Sequence, residues 1–122
     1  MILKNIELIN AVGGLRKLNE ASLPIKVSYK VTKNIMTIEG ELAVYNAEKQ
    51  KLINKYGEKD SKGELIMDEN NQVNIVDIVG WTNDINELDN MENDISIEKI
   101  NLDSIDIDIT PSELATIIFM FD

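Results

Sequence analysis

Three observations predict an α+β fold for this 122-residue chain. Residues 25–56 repeat apolar side chains at alternating four- and three-residue steps, the signature of one long helix with a heptad seam. Residues 57–110 break into short runs in which apolar and polar residues alternate, which suits strands. Thr110-Pro111-Ser112-Glu113 then combines a capping box with proline at the first helical position, so a last helix starts there. The expected architecture is a long helical hairpin with a heptad seam, a β-hairpin, short additional strands and a capped C-terminal helix. All of it forms a single domain, 1–122.

Taken in order, segment 3–19 is apolar at Leu3, Ile6, Ile9, Val12, Leu15 and Leu18, a drifting helical stripe weakened by Gly13-Gly14. The glycine pair predicts a bend or a close backbone contact. It lacks the G-x-x-x-x-G-K spacing of a phosphate-binding loop. Pro24 suits the first position of the next helix, 25–56. That helix's seam is Val31, Ile35, Ile38, Leu42, Tyr45, Leu52 and Tyr56, with only Lys49 interrupting and Gly40 on the outer face. At 1.5 Å per residue the rod is about 48 Å long, so it pairs with another helix or with a second copy of itself. The seam is therefore the candidate self-association surface of a homodimer or higher homo-oligomer.

Gly57 ends the rod. Residues 58–63 read as a solvated loop. Leu65 and Met67 alternate before Asp68-Glu69-Asn70-Asn71, and Val73 and Ile75 after it, which reads as the β-hairpin. Ile78, Trp81, Ile85 and Leu88 predict a short amphipathic helix over about 77–91, with Trp81 as its core anchor. Ile95 and Ile97, then Ile105, Ile107 and Ile109, predict two strands with wet acidic faces. The final helix spans 111–120. No internal repeat is evident.

Charge divides the chain near its middle. Residues 1–56 hold nine Lys/Arg and five Asp/Glu, a net of +4, whereas residues 57–122 hold three Lys and seventeen Asp/Glu, a net of −14. The first is a basic helical half and the second an acidic α/β half. Absence of Cys excludes disulfides and thiolate chemistry, and absence of His removes the usual near-neutral general base. The longest strongly apolar run, 117–121, is far shorter than the roughly 20 residues of a membrane helix, which predicts a cytoplasmic protein that engages no membrane.

The chemistry-bearing residues are carboxylates. Asp68-x-Asn70-x-Gln72 begins like a calcium loop but has Val73 where glycine is needed and Val79 where glutamate is needed, so no metal and no cofactor is expected. Lys26, Lys30, Lys33, Lys49, Lys51 and Lys55 lack interleaved aromatics, and a net charge of −10 opposes phosphate contact, so direct nucleic-acid binding is not expected. Asp84, Glu87, Asp89, Glu92, Asp94, Glu98, Asp103, Asp106 and Asp108 lie within 25 residues and form the candidate partner-binding surface. Such a stripe resembles a run of nucleic-acid phosphates and would steer a basic partner in a salt-sensitive way.

Four stretches are similar to a family of small phage and prophage proteins of unknown function from viruses of Gram-positive bacteria. They are Leu3-Lys4-Asn5-Ile6-Glu7-Leu8-Ile9-Asn10, Leu23-Pro24-Ile25-Lys26-Val27-Ser28-Tyr29-Lys30, Lys55-Tyr56-Gly57-Glu58-Lys59-Asp60 and Ile109-Thr110-Pro111-Ser112-Glu113-Leu114. Gly13-Gly14 and the sparse charges around Met36, Thr37 and Gly40 depart from that pattern. The resemblance implies a phage or prophage origin, in the cytoplasm of a bacterial host, and carries no catalytic residue. The expected function is a non-enzymatic inhibitor of a host protein. It would act in counter-defence, anti-CRISPR-like or against another defence system, through a nucleic-acid-mimicking acidic surface. The alternative is a virion morphogenesis or tail-associated accessory protein.

Overall fold

Ile2 and Lys4 flank the buried Leu3, the alternation of an edge strand, and these three residues pair with a segment about ninety residues away. In the computed structural model, which describes residues 1–122, the chain is mixed α+β and mostly helical. The order is β1 (Ile2–Lys4), α1 (Asn5–Glu20), α2 (Ile25–Tyr56), α3 (Ile78–Asp89), β2 (Glu92–Asp94) and α4 (Pro111–Ile117). No helix is long and apolar enough to cross a membrane. Two compact units form, one from Met1–Leu42 and Glu92–Asp122, the other from Ala43–Met91. The charge break at 56/57 does not follow this division. The first unit carries seven cations and twelve carboxylates, the second five and ten, so each has a net charge of −5.

The first unit is built on apolar spacing. Leu8, Ala11, Leu15 and Leu18 recur at three- and four-residue steps along α1 and are all buried. They join Val31 and Ile38 of α2, Ile95, Ile100, and Ile117, Met120 and Phe121 of the C-terminal segment in one aliphatic core. α1 runs unbroken through its two glycines. Nothing lies near Gly13, but a Cβ on Gly14 would meet Ile117 Cγ2 at 2.8 Å and the Glu113 carbonyl oxygen at 3.1 Å. The close backbone contact is thus at Gly14, where α4 packs.

β1 and β2 pair antiparallel in the register Ile2↔Asp94, Leu3↔Asn93, Lys4↔Glu92. The expected helix over 3–19 therefore starts later, at Asn5. The chain end is pinned separately: Ile100 N–H donates to the Met120 carbonyl at 2.9 Å and Asp122 N–H to the Ile100 carbonyl at 3.0 Å. The capping box is present, with Thr110 Oγ1 accepting from Glu113 N–H at 3.1 Å. After Ile117 the last turn tightens into a 3₁₀ helix, Ile118–Met120, so the α-helical part of 111–120 is shorter than its pattern.

The two strands expected at Ile95–Ile97 and Ile105–Ile109 are corrected by the structure. The only ladder nearby is β2, one turn of chain earlier, because β1 supplies the one partner. Residues 105–109 carry no regular secondary structure; Ile105, Ile107 and Ile109 pack on the core, but no strand lies beside them. Period-two alternation reports which side chains are buried, not whether the backbone has a neighbour.

In the second unit, the sequence between α2 and α3 makes one turn twice. Asp60 Oδ1 accepts from Lys62 and Glu64 N–H at 2.8 and 3.0 Å, and Asp68 Oδ1 accepts from Asn70 and Gln72 N–H at 2.8 and 2.9 Å. The fourth residue of each turn is left-handed, Gly63 at φ 81° and Asn71 at φ 59°. This is the hairpin built from a type I turn and a left-handed bulge residue, repeated after eight residues. Residues 58–63, all exposed, thus hold a tight turn, and the same turn recurs eight residues later.

Pairing also differs from expectation. Met67 faces Val73, but Leu65 faces Lys59 and Ile75 faces Gly57, so three short segments close on one another. Gly57 sits where they converge. A Cβ there would meet Val73 Cγ1 at 2.5 Å, Leu65 Cδ2 at 2.7 Å and the Ile53 carbonyl oxygen at 2.6 Å.

Candidate functional site

The seam of α2 is used within this one chain. Val31 and Ile38 are core residues of the first unit, with Ile35 and Leu42 packed against them. Tyr45 and Tyr56 are buried in the second unit, and Leu52 shares a depression with Leu88 of α3. The physical reason is supply: α1, α4 and α3 present apolar stripes that the seam covers. Sequence spacing does not distinguish this from pairing between copies.

Of the nine candidate carboxylates, Asp84, Glu87 and Asp89 belong to the second unit and the other six to the first. Asp84 and Asp89 act as fasteners. Tyr45 Oη donates to Asp89 Oδ1 at 2.7 Å, and the Tyr56 hydroxyl donates to Asp84 Oδ2, which also lies 3.5 Å from Lys55 Nζ. Burial, reinforced by Asp89, pushes the Tyr45 phenol up to about 12. The Tyr56 hydrogen bond holds the Asp84 carboxyl below its ordinary value, with Lys55 adding to the effect. Asp84 in turn raises the Tyr56 phenol. Glu87 is exposed beside the same depression, with Glu48 on its wall. Trp81 on α3 is half-buried.

In the first unit, Asp94 lies 3.2 Å from the N-terminal ammonium and Glu98 3.5 Å from Lys33 Nζ. The backbone of Glu98 is held by Asn34, buried on α2, whose side chain accepts from Glu98 N–H at 2.8 Å and donates to its carbonyl at 2.9 Å. Sequence reasoning missed Asn34. Its signal was a polar residue directly beside seam position Ile35, where the helix turns toward the core.

Glu92, Asp103, Asp106 and Asp108 are exposed and take part in none of the four ion pairs. Three of them share one segment. Asn101 accepts from Asp103 N–H at 2.9 Å and starts a 3₁₀ turn, Leu102–Ser104, which leads into residues 105–109. There the isoleucines are half-buried and Asp106 and Asp108 point outward. The N–H groups of residues 106–109 donate to no backbone carbonyl. The result is an open, acid-faced edge that can accept cations at its carboxylates and a partner's backbone along its length. No group of three or more acidic side chains is arranged to hold a metal ion. Asp68, the first residue of the half calcium loop, instead spends its carboxylate on its own turn.

No family model, no curated protein and no solved structure matches this chain.

Proposed function

We propose that this is a non-enzymatic binding protein of phage or prophage origin that inhibits a host protein by occupying its nucleic-acid groove. The observation that carries the reading is the edge at 103–109, where Asp103, Asp106 and Asp108 are exposed beside backbone that has no strand partner. Asp106 and Asp108 are exposed two residues apart, with Asp103 exposed on the preceding 3₁₀ turn, a local concentration of negative charge that a Lys- or Arg-lined groove can follow. The resemblance of the four stretches to phage proteins supports a partner in the host, and the acidic residues favour a host protein that handles nucleic acid. Counter-defence is the role such an inhibitor serves. Asp84 and Asp89 are omitted from the binding surface, because each holds a tyrosine.

The test combines capture with a neutralised edge. Tagged protein captures one nucleic-acid-handling host protein from lysate at low salt, loses it as salt rises, and prevents it from binding its nucleic acid. The triple variant Asp103→Asn, Asp106→Asn, Asp108→Asn retains its circular dichroism and loses the capture. Equal capture by the triple variant would refute the assignment of this edge.

A further inference from the structure

Three of the seven cations of the first unit, Lys26, Lys30 and Lys33, lie at the start of α2 at steps of four and three, so they share one face of the helix. With Ile25 and Tyr29 beside them and Glu98 from the segment after β2, they line a depression of about 460 Å³, wholly within that unit. Such a volume falls in the roughly 300–1,000 Å³ range of small-molecule sites. Ile25 is 85 % and Tyr29 64 % exposed, so an aliphatic side chain and an aromatic ring stand open to water in it.

Its charges are unbalanced. Glu98 lies 3.5 Å from Lys33 Nζ, and that same ammonium stands 5.1 Å from the centroid of the Tyr29 ring. Lys30 Nζ donates to the Lys99 carbonyl at 3.2 Å, which leaves two further N–H groups on its ammonium. Lys26 takes part in none of the four ion pairs. Three cations against one carboxylate leave +2 in a unit whose net charge is −5. The wider negative charge does not cancel that surplus locally, because exposed charges beyond about 10 Å are screened at 0.1 M salt.

We propose that this depression binds a nucleoside monophosphate. A phosphate monoester carries about −1.5 to −2 at pH 7 and offers three acceptor oxygens, which matches the surplus. Lys26 and Lys30, about one helical turn apart, hold the phosphate, and the base stacks on the exposed Tyr29 ring with Ile25 beside it. Charge selects an anion, and the ring selects a planar one. A sugar phosphate would leave Tyr29 and Ile25 uncovered, and a neutral nucleoside would leave the lysines unmatched. A nucleic-acid strand differs from a single nucleotide here, since its row of phosphates runs beyond the depression and meets the acidic remainder of the unit. The site is independent of the edge at 103–109.

Titration of the full chain with AMP, followed by amide proton–nitrogen NMR, tests this. Saturable shifts at Lys26, Tyr29, Lys30, Lys33 and Glu98 are expected by about 10 mM, where a millimolar site is roughly nine-tenths full. Adenosine lacks the phosphate and ribose phosphate lacks the base, and each binds about ten-fold more weakly than AMP. Tyr29→Ala, and separately Lys26→Gln with Lys30→Gln, weaken AMP by a similar factor while circular dichroism is unchanged, because all three side chains are exposed. Absence of saturable shifts with AMP overturns the proposal. So does ribose phosphate binding as tightly as AMP, or Tyr29→Ala keeping full affinity, since either outcome reduces the site to a general attraction between phosphate and lysine.

Discussion

Twelve hydrophobic side chains are buried together in the unit formed by Met1–Leu42 and Glu92–Asp122, while in Ala43–Met91 only Tyr45, Tyr56 and Leu88 are buried hydrophobics. The first unit is ordered by aliphatic burial, drawing segments from both ends of the chain into one core. The second is ordered by directional bonds: two tyrosine–aspartate pairs between α2 and α3, and two aspartate-closed turns. Apolar burial is indifferent to protonation, and directional polar bonds are not. The same helix is thus anchored by two kinds of force, and the two respond to different perturbations.

The largest effect is expected in the aliphatic unit. Ile38 is fully buried at the middle of its core, so Ile38→Ala removes three carbons and leaves a cavity, at a cost of about 3 kcal/mol. Denaturant unfolding measures it, and hydrogen exchange locates it: protection falls at the Ile95 and Ile100 amides. Gly57→Ala is the corresponding lesion in the second unit. Its Cβ meets a backbone oxygen at 2.6 Å, which cannot rotate away, and two packed side chains, at a cost of about 2 kcal/mol. Exchange should then rise at Glu58, Ile66 and Asp68, whose amides bond across the three segments. If either variant loosens both sets of amides equally, the contrast between the units has no energetic meaning.

A smaller effect separates the units by pH. Tyr45→Phe keeps the ring and removes its hydrogen bond to Asp89, a loss of about 1.5 kcal/mol. The folded phenol titrates near 12 against an ordinary 10, so its contribution is complete below pH 10 and is lost as pH rises to about 12. Asp84 has the opposite sign: its folded carboxyl is depressed, so its contribution is complete above about pH 4 and is lost as pH falls through the lower folded value. Wild type should lose stability from pH 10 to 12, and Tyr45→Phe should show a shallower loss over that range. Parallel alkaline profiles would remove Tyr45 as the cause.

What the sequence made legible follows the same division. Helix 25–56, the helix expected over about 77–91 and found at Ile78–Asp89, and the capped start at Pro111 were readable because periodicity and caps are local properties. β1 was not, since three residues acquire strand character only when Glu92–Asp94 arrives beside them. Ile105, Ile107 and Ile109 alternate as strand residues do, yet have no ladder, because alternation encodes one buried side and is silent on neighbours. The acidic stripe was readable as composition. Which carboxylates are spent depended on Tyr45 and Tyr56, forty-four and twenty-eight residues away from their partners.

The smallest effect tests whether the repeated turn is one device used twice. Gly63 and Asn71 occupy the same left-handed position, at φ 81° and 59°, and their neighbours make the same four bonds. Glycine reaches that conformation freely, asparagine at small cost, and alanine at a cost of about 1 kcal/mol. Asn71→Gly should therefore lie within about 0.5 kcal/mol of wild type, since relief of the backbone is offset by greater freedom of the unfolded chain. Gly63→Ala and Asn71→Ala should each destabilise, by similar amounts. Nothing lies within 4 Å of a Cβ on Gly63, so contact cannot explain a loss there. Equal losses at the two alanine variants would show that turn geometry, acting identically at both sites, holds the second unit where a core does not. A loss at Gly63→Ala alone would mean that the two turns share a shape but not a role.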